Sequence, residues 1–157
     1  MQDNTAWQDK KETIKGNIGE RIVEKRLEAN GYRSYSPTKD GPHPIDRLYI
    51  HSTTFETFMV DIKCKELRKK YPDTGFPLKH YQKYMAINKN IKVKIYFVDY
   101  IKGEIYGGEL DKLATMDQNY PFIQWAEGIV YFRYSDMQVL DKLTESEIEE
   151  IRALKNT

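Results

Sequence analysis

Apolar residues at Ile14, Ile18, Ile22, Val23 and Leu27 recur at steps of three and four. That spacing predicts a helix over residues 11–30, stopped by Asn30-Gly31. The period then changes. Residues 32–36 read as a short strand, and 37–44 as a loop punctuated by Asp40-Gly41 and Pro42. Two strands follow, 45–50 and 55–64, with turn-like His51-Ser52-Thr53-Thr54 between them. Residues 67–77 read as a basic loop because Pro72, Gly75 and Pro77 interrupt any pattern. A helix is predicted over 78–88, with Tyr81, Met85 and Asn88 on one side and Gln82 and Ala86 on another. A strand over 91–100 turns at Lys102-Gly103 into 104–107, and a short helix follows over 110–116. Residues 122–125 and 128–134 form a late hairpin around Ala126-Glu127-Gly128. Thr144-Glu145-Ser146-Glu147 has the form of a capping box and opens a last helix to about residue 154. The order of helix, strands, helix, strands, helix predicts one domain spanning residues 1–157, with a mixed α/β (α+β) fold and one central sheet.

Composition narrows the class. With 157 residues, 39% hydrophobic and 31% charged, the chain suits a globular domain with a sizeable core. No apolar run approaches a membrane span, and Met1-Gln2-Asp3-Asn4 does not open a signal peptide, so the cytoplasm is the expected location. Cys64 is the single cysteine; its strand parity is opposite to that of Asp61 and Lys63, which makes it a core residue rather than a nucleophile. The net charge of +1 hides an asymmetry. Residues 61–94 hold ten Lys and Arg against Asp61, Glu66 and Asp73, a local +7, whereas the chain from Ser135 onward sums to −3. One face toward a polyanion is one explanation; lysine-rich edges that keep the protein soluble are the other.

The chemistry concentrates on the two middle strands. Asp61 and Lys63 are two apart, so they project from one face of a strand. Pro44-Ile45-Asp46 opens the preceding strand, and pairing as a hairpin would bring Asp46 beside them. Glu20 lies seven residues before Leu27, about 20° away on a helical wheel, so it points with the apolar face toward the sheet. A buried carboxylate needs a cation, a metal or hydrogen-bond donors. Asn17-Ile18-Gly19-Glu20 also has capping-box form, which offers Glu20 a local explanation. Lys63 likewise has an ordinary alternative, a salt bridge to Asp61 or Asp46. His43, His51 and His80 lack partners at i+3 or i+4, so no zinc site is expected. P-loop, dinucleotide glycine and nucleophile-elbow patterns are absent from the sequence.

Gly16-x-x-Gly19-Glu20, Leu27-x-x-x-Gly31-Tyr32, Pro44-Ile45-Asp46 and Val60-Asp61-Ile62-Lys63 together resemble the PD-(D/E)XK nuclease superfamily. The spacing is most similar to that of the archaeal Holliday-junction resolvases and their small bacterial relatives. The resemblance covers roughly residues 15–65. It departs in reading Pro-Ile-Asp for Pro-Asp and in placing Asp61 where many members have Glu. It implies a restriction-endonuclease-like core, a central mixed β-sheet flanked by helices. It also implies Mg²⁺-dependent hydrolysis of DNA phosphodiester bonds, selective for junction or branched DNA, with Mn²⁺ able to substitute. Asp46, Asp61 and the Ile62 carbonyl would hold the ion, Glu20 would hold a second ion or its water, and Lys63 would orient the attacking water or contact the phosphate. Lys79 or Gln82 could fill the position that members often place on the following helix.

Lys65, Arg68, Lys69, Lys70, Lys79 and Gln82 are the candidate nucleic-acid contacts. Tyr71, Tyr81 and Tyr84, set beside basic residues, could stack on bases. DNA is the implied partner, although the residues do not separate it from RNA, and a homodimer is the implied assembly, with the aromatics near residues 120–125 as one contact. The competing reading is a module of the same fold that binds nucleic acid within a larger complex without cutting it.

Overall fold

The computed structural model describes residues 5–36, 47–115 and 119–155, with side chains from residue 11 to residue 154. Helix α1 (Thr5–Ala29) runs through the predicted span and starts six residues earlier, where the apolar spacing gives no sign of it. Ile18, Ile22, Val23 and Leu27 are buried as their spacing requires, whereas Ile14, at the start of the predicted face, is 39% exposed. Gly31 ends the helix at φ +94°, in a region that L side chains avoid, and a Cβ there would meet the His51 ring at 2.7 Å. Because α1 is continuous from Thr5, Asn17–Glu20 lies in its interior. A capping role for Glu20 is therefore excluded.

Strands β1 (Tyr32–Tyr35), β2 (Arg47–His51) and β3 (Thr57–Lys63) form an antiparallel meander. Residues 37–46, including His43, Pro44 and Asp46, lie outside the described residues. The chain continues through β4 (Asp73–Pro77) and α2 (Leu78–Asn88) into β5 (Val93–Asp99), which pairs with β3 in parallel. Then come β6 (Glu104–Glu109), α3 (Leu110–Leu113), β7 (Phe122–Gln124), β8 (Ile129–Arg133), β9 (Gln138–Lys142) and α4 (Glu145–Lys155). The main sheet has six strands in the order β1-β2-β3-β5-β6-β9, and β4-β8-β7 form a second sheet.

Two cores sandwich the main sheet. Phe58, Val60 and Ile62 of β3 join Tyr96 and Val98 of β5 under α1 and α4. Val93, Ile95 and Phe97 face the other way, against Phe76, Tyr84, Leu110, Val130 and Phe132. Apolar residues on both faces explain why β5 reads as a near-continuous hydrophobic run. Among the described residues no helix is long and apolar enough to cross a membrane.

Two strands differ from the sequence expectation. The predicted loop over 67–77 ends in β4, whose Asp73, Gly75 and Pro77 mask a strand that pairs with β8. Pro77 ends β4, an edge strand of the second sheet, where a missing N–H is tolerated. The second is β9, the polar and mostly exposed edge of the main sheet; edge strands are polar because a long apolar edge invites aggregation.

The capping box predicted at α4 is present. The Thr144 N–H donates to Glu147 Oε1 at 2.8 Å, and the Glu147 N–H donates to Thr144 Oγ1 at 3.1 Å. Arg26 of α1 reaches across to the same carboxylate, donating at 2.8 and 2.6 Å, and to Asp141 at 2.6 Å. These bonds, with the Arg26 contribution largest, hold the Glu147 carboxyl below its ordinary value of 4.5 despite partial burial. A depressed native pKa means that the unfolded chain takes up the proton first. This contribution is therefore full above about 4.5 and is lost as pH falls through the native value. Urea midpoints measured from about pH 5 down to about pH 3 should fall, and Glu147→Gln should flatten the slope. An unchanged slope in the variant would remove Glu147 from the account.

Candidate active site

Asp61 sits in the interior of β3, paired with Ile95 of β5, one residue beyond the Val60–Arg47 pair with β2. It is 3% exposed. Lys63, two residues on, points from the same face, and its Nζ lies 3.0 Å from Asp61 Oδ2. The ammonium also stands 5.8 Å from the Phe76 ring centroid and 5.9 Å from that of Tyr84. The β4 and α2 aromatics thus wall the ammonium on that side. The ordinary explanation of Lys63, an ion pair with Asp61, holds as geometry. It does not conflict with a catalytic role, because the pair faces a cleft.

That cleft, of about 510 Å³, is lined by Asp61, Ile62, Lys63 and Cys64 of β3 and its end, by Lys65, and by Glu12, Lys15, Gly16 and Glu20 of α1. Glu20 is half-buried there. Gly19 explains how the helix comes so close to the strand, because a Cβ on it would lie 3.1 Å from Cys64 Cβ. Glu12 and Lys15 were not anticipated as site residues. Glu12, Gly16 and Glu20 stand at four-residue steps, which places them on one helix face, and that signal was available in the sequence. Lys15 pairs with Glu66 at 3.5 Å. Three carboxylates and three ammonium groups therefore share the cleft.

The donor types suit a hard cation. Asp61, Glu20 and the Ile62 carbonyl offer oxygen, and Mg²⁺ is commonly held by one or two carboxylates with water completing its shell. Burial pushes the Cys64 thiol up to about 11, so it stays protonated and is a poor metal ligand or nucleophile. Among the described residues no three His, Cys, Asp or Glu side chains form a group that could hold a metal. Asp46 lies outside those residues; Arg47, which follows it in sequence, pairs with Val60, the residue before Asp61.

The basic candidates divide into two sets. Lys65 turns inward and donates to the Gly75 carbonyl at 2.8 Å, and burial lowers its pKa. Arg68 makes a two-bond fork with Asp73, each bond 2.6 Å, and Asp73 is fully buried. Both cations are engaged by the fold itself. Lys69, Lys70 and Lys79 are exposed. Gln82 is exposed on a part of α2 that it shares with Tyr81, Met85 and Lys89, apart from the cleft. Of the tyrosines, Tyr84 is core, Tyr81 packs on Phe132, and Tyr71 is 54% exposed.

Two histidines have clear positions. His51 Nε2 contacts the Asn30 carbonyl oxygen, and its Nδ1 accepts from the N–H groups of Thr53 and Thr54. His80 of α2 lies against Tyr84, and its Nδ1 is buried without a hydrogen-bond partner among the described residues. Desolvation and then the charge of Lys63 hold its pKa below the ordinary value.

No protein-family model matches the chain, and none of the curated proteins matches it. Among solved structures, Archaeoglobus fulgidus Hjc, a Holliday junction resolvase from an archaeal hyperthermophile, is similar with a TM-score of 0.51. The likeness covers 77% of this chain and 90% of that one at 11% identity, a level at which fold is shared and side-chain roles are not carried over. The six-stranded mixed sheet with helices on both faces is thus the restriction-endonuclease-like fold, the fold of the PD-(D/E)XK nucleases that the sequence resembles.

Proposed function

We propose that the protein is a metal-dependent endonuclease that hydrolyses DNA phosphodiester bonds, with branched DNA or junctions as its substrates. The observation that carries this reading is the meeting of Asp61, Lys63 and Glu20, from a central strand and a separate helix, in one cleft. Asp61 and the Ile62 carbonyl, with Asp46, would hold Mg²⁺ or Mn²⁺, and Glu20 would hold a second ion or a bound water. When bound, the metal supplies an acidified water and neutralises charge on the phosphate. Lys63 orients the attacking water or contacts the scissile phosphate. Its contact with Asp61 holds it at the cleft before substrate arrives. The DNA-facing cations would be Lys69, Lys70 and Lys79. A protonated single thiol fits a reducing cytoplasm, where we place the protein.

Symmetric cutting of a junction calls for two sites, so a homodimer is the assembly we expect on that substrate. The second reading, a binding module, draws on the Lys63–Asp61 ion pair, which would be all the lysine does if no metal binds. The two readings separate on a panel of duplex, single-stranded, flap and four-way-junction DNA incubated with Mg²⁺, with Mn²⁺ or with EDTA. Metal-dependent cleavage of one or more is expected, with branched forms preferred. Binding without cutting under every condition would leave the binding module.

A further inference from the structure

The outward face of the second sheet carries a stack of planar side chains. The Arg68 guanidinium lies over two rings, 3.7 Å from the Tyr131 centroid and 4.3 Å from that of Tyr71. Tyr131 stacks in turn on Phe122, with centroids 6.4 Å apart and planes 21° apart, within the range of offset aromatic stacking. The register makes this possible. Tyr131 pairs with Gly75 on one side and Phe122 on the other, so no β4 side chain covers the Tyr131 ring and Arg68 can lie on it. Buried Asp73 pins the guanidinium, and the Tyr120 hydroxyl donates to Asp73 Oδ2 at 2.8 Å. The middle of the ladder Tyr71–Arg68–Tyr131–Phe122 is thus anchored at Arg68, and its two ends are open to solvent, Tyr71 at 54% and Phe122 at 43% exposed. The turn from β7 to β8 adds Trp125 at 74%.

We propose that this face is a stacking platform for unpaired nucleotides, so that the strand the enzyme acts on carries single-stranded bases beside the cleaved phosphate. The proposal rests on the nucleic-acid reading above and narrows its substrate class. Open aromatic faces next to cations match the chemistry of a single strand, whose bases have free π-faces. A duplex offers only base edges and phosphate along its length. The charges favour the same occupant. Arg68 is matched by Asp73 and Arg133 by Asp136, and Glu127 accepts the Tyr131 hydroxyl. Lys69 and Lys70 follow Arg68 directly, are exposed, and among the described residues have no ion-pair partner. A second copy docked face to face would set these lysines against their equals, whereas a polyanion would neutralise them. Through Arg68 the platform borders a groove that adjoins the carboxylate cleft. Arg68 and Lys69 line a concavity of about 740 Å³ that shares Lys15 and Lys65 with the cleft.

Binding in EDTA of an oligothymidylate of about 12 nucleotides and of a duplex of equal length tests this. Tyr71→Ala, Phe122→Ala and Trp125→Ala should each weaken single-strand binding about tenfold and leave duplex binding within about twofold; Trp125→Phe should keep it. All three positions are exposed, so the variants are expected to fold. The proposal is overturned by equal losses on both ligands, by no loss, or by the wild-type protein failing to bind the oligonucleotide. Sedimentation that turns a dimer into a monomer in these variants would overturn it in favour of a second copy. Metal is absent, so the result is independent of cleavage. Stacking without cutting in the panel defeats the nuclease reading alone, and undiminished flap cutting by the alanine variants defeats this inference alone.

Discussion

Asp61→Asn is expected to reduce metal-dependent cleavage by at least about a thousandfold, since a metal contributes several kcal/mol to the barrier and each 1.36 kcal/mol is tenfold. DNA affinity should stay equal or rise, because one negative charge facing phosphate is removed. Asn has the shape of Asp, so the 3%-exposed position is filled without a cavity. Lys63 loses its partner but is 23% exposed and can turn to water. A loss of activity without a loss of fold is therefore the expected signature. Single-turnover cleavage, filter binding and a thermal melt on one preparation check all three parts. Wild-type cleavage by Asp61→Asn, Asp46→Asn and Lys63→Ala together would show that the chemistry lies elsewhere.

Asp73→Ala should cost about 1.5–3 kcal/mol of stability, the range for hydrogen bonds to charged groups. Asp73 is fully buried and accepts two bonds from Arg68 and one from Tyr120. Removing it leaves a guanidinium with 27% side-chain exposure facing an empty space. Arg68→Ala should be similarly costly, and the double variant should lose less than the sum of the two. Urea midpoints of the four proteins supply the cycle. This moves Arg68 from a phosphate contact to a structural element that presents the aromatic ladder. If Arg68→Ala weakened DNA binding in proportion to salt and left the midpoint unchanged, Arg68 would be a phosphate contact after all.

The outcome at Arg68 marks where sequence reasoning reached its limit. A run of Arg68, Lys69 and Lys70 reads as three equal cations, because nothing local distinguishes the one whose partner is supplied by folding. Asp73 is close in sequence, but it becomes a buried anchor only when β4 pairs with β8, and β4 was hidden by its Gly and Pro. β9 was hidden for a related reason, since an edge strand is polar and lacks the alternation of a half-buried one. The start of α1 was missed because its first turns carry no apolar period. By contrast, local signals with a definite period or a fixed offset were read correctly. These are the apolar face of α1 from Ile18 to Leu27, the i, i+2 relation of Asp61 and Lys63, helix α2, the late hairpin, and the Thr144–Glu147 box.

The sequence by itself determined the sheet-bearing fold class, the order of the elements apart from β4 and β9, and the strand and helix that carry Asp61, Lys63 and Glu20. Each of these rests on contacts within a few residues, where periodicity and capping are visible. Only the tertiary structure decided that Glu20 is in a helix interior and opens, with Glu12 and Lys15, onto the cleft of Asp61. It alone decided which cations are already neutralised and which aromatics remain open. Those properties depend on pairing between distant segments, such as β4 with β8 and β3 with β5, and on burial, which no single residue carries in its identity.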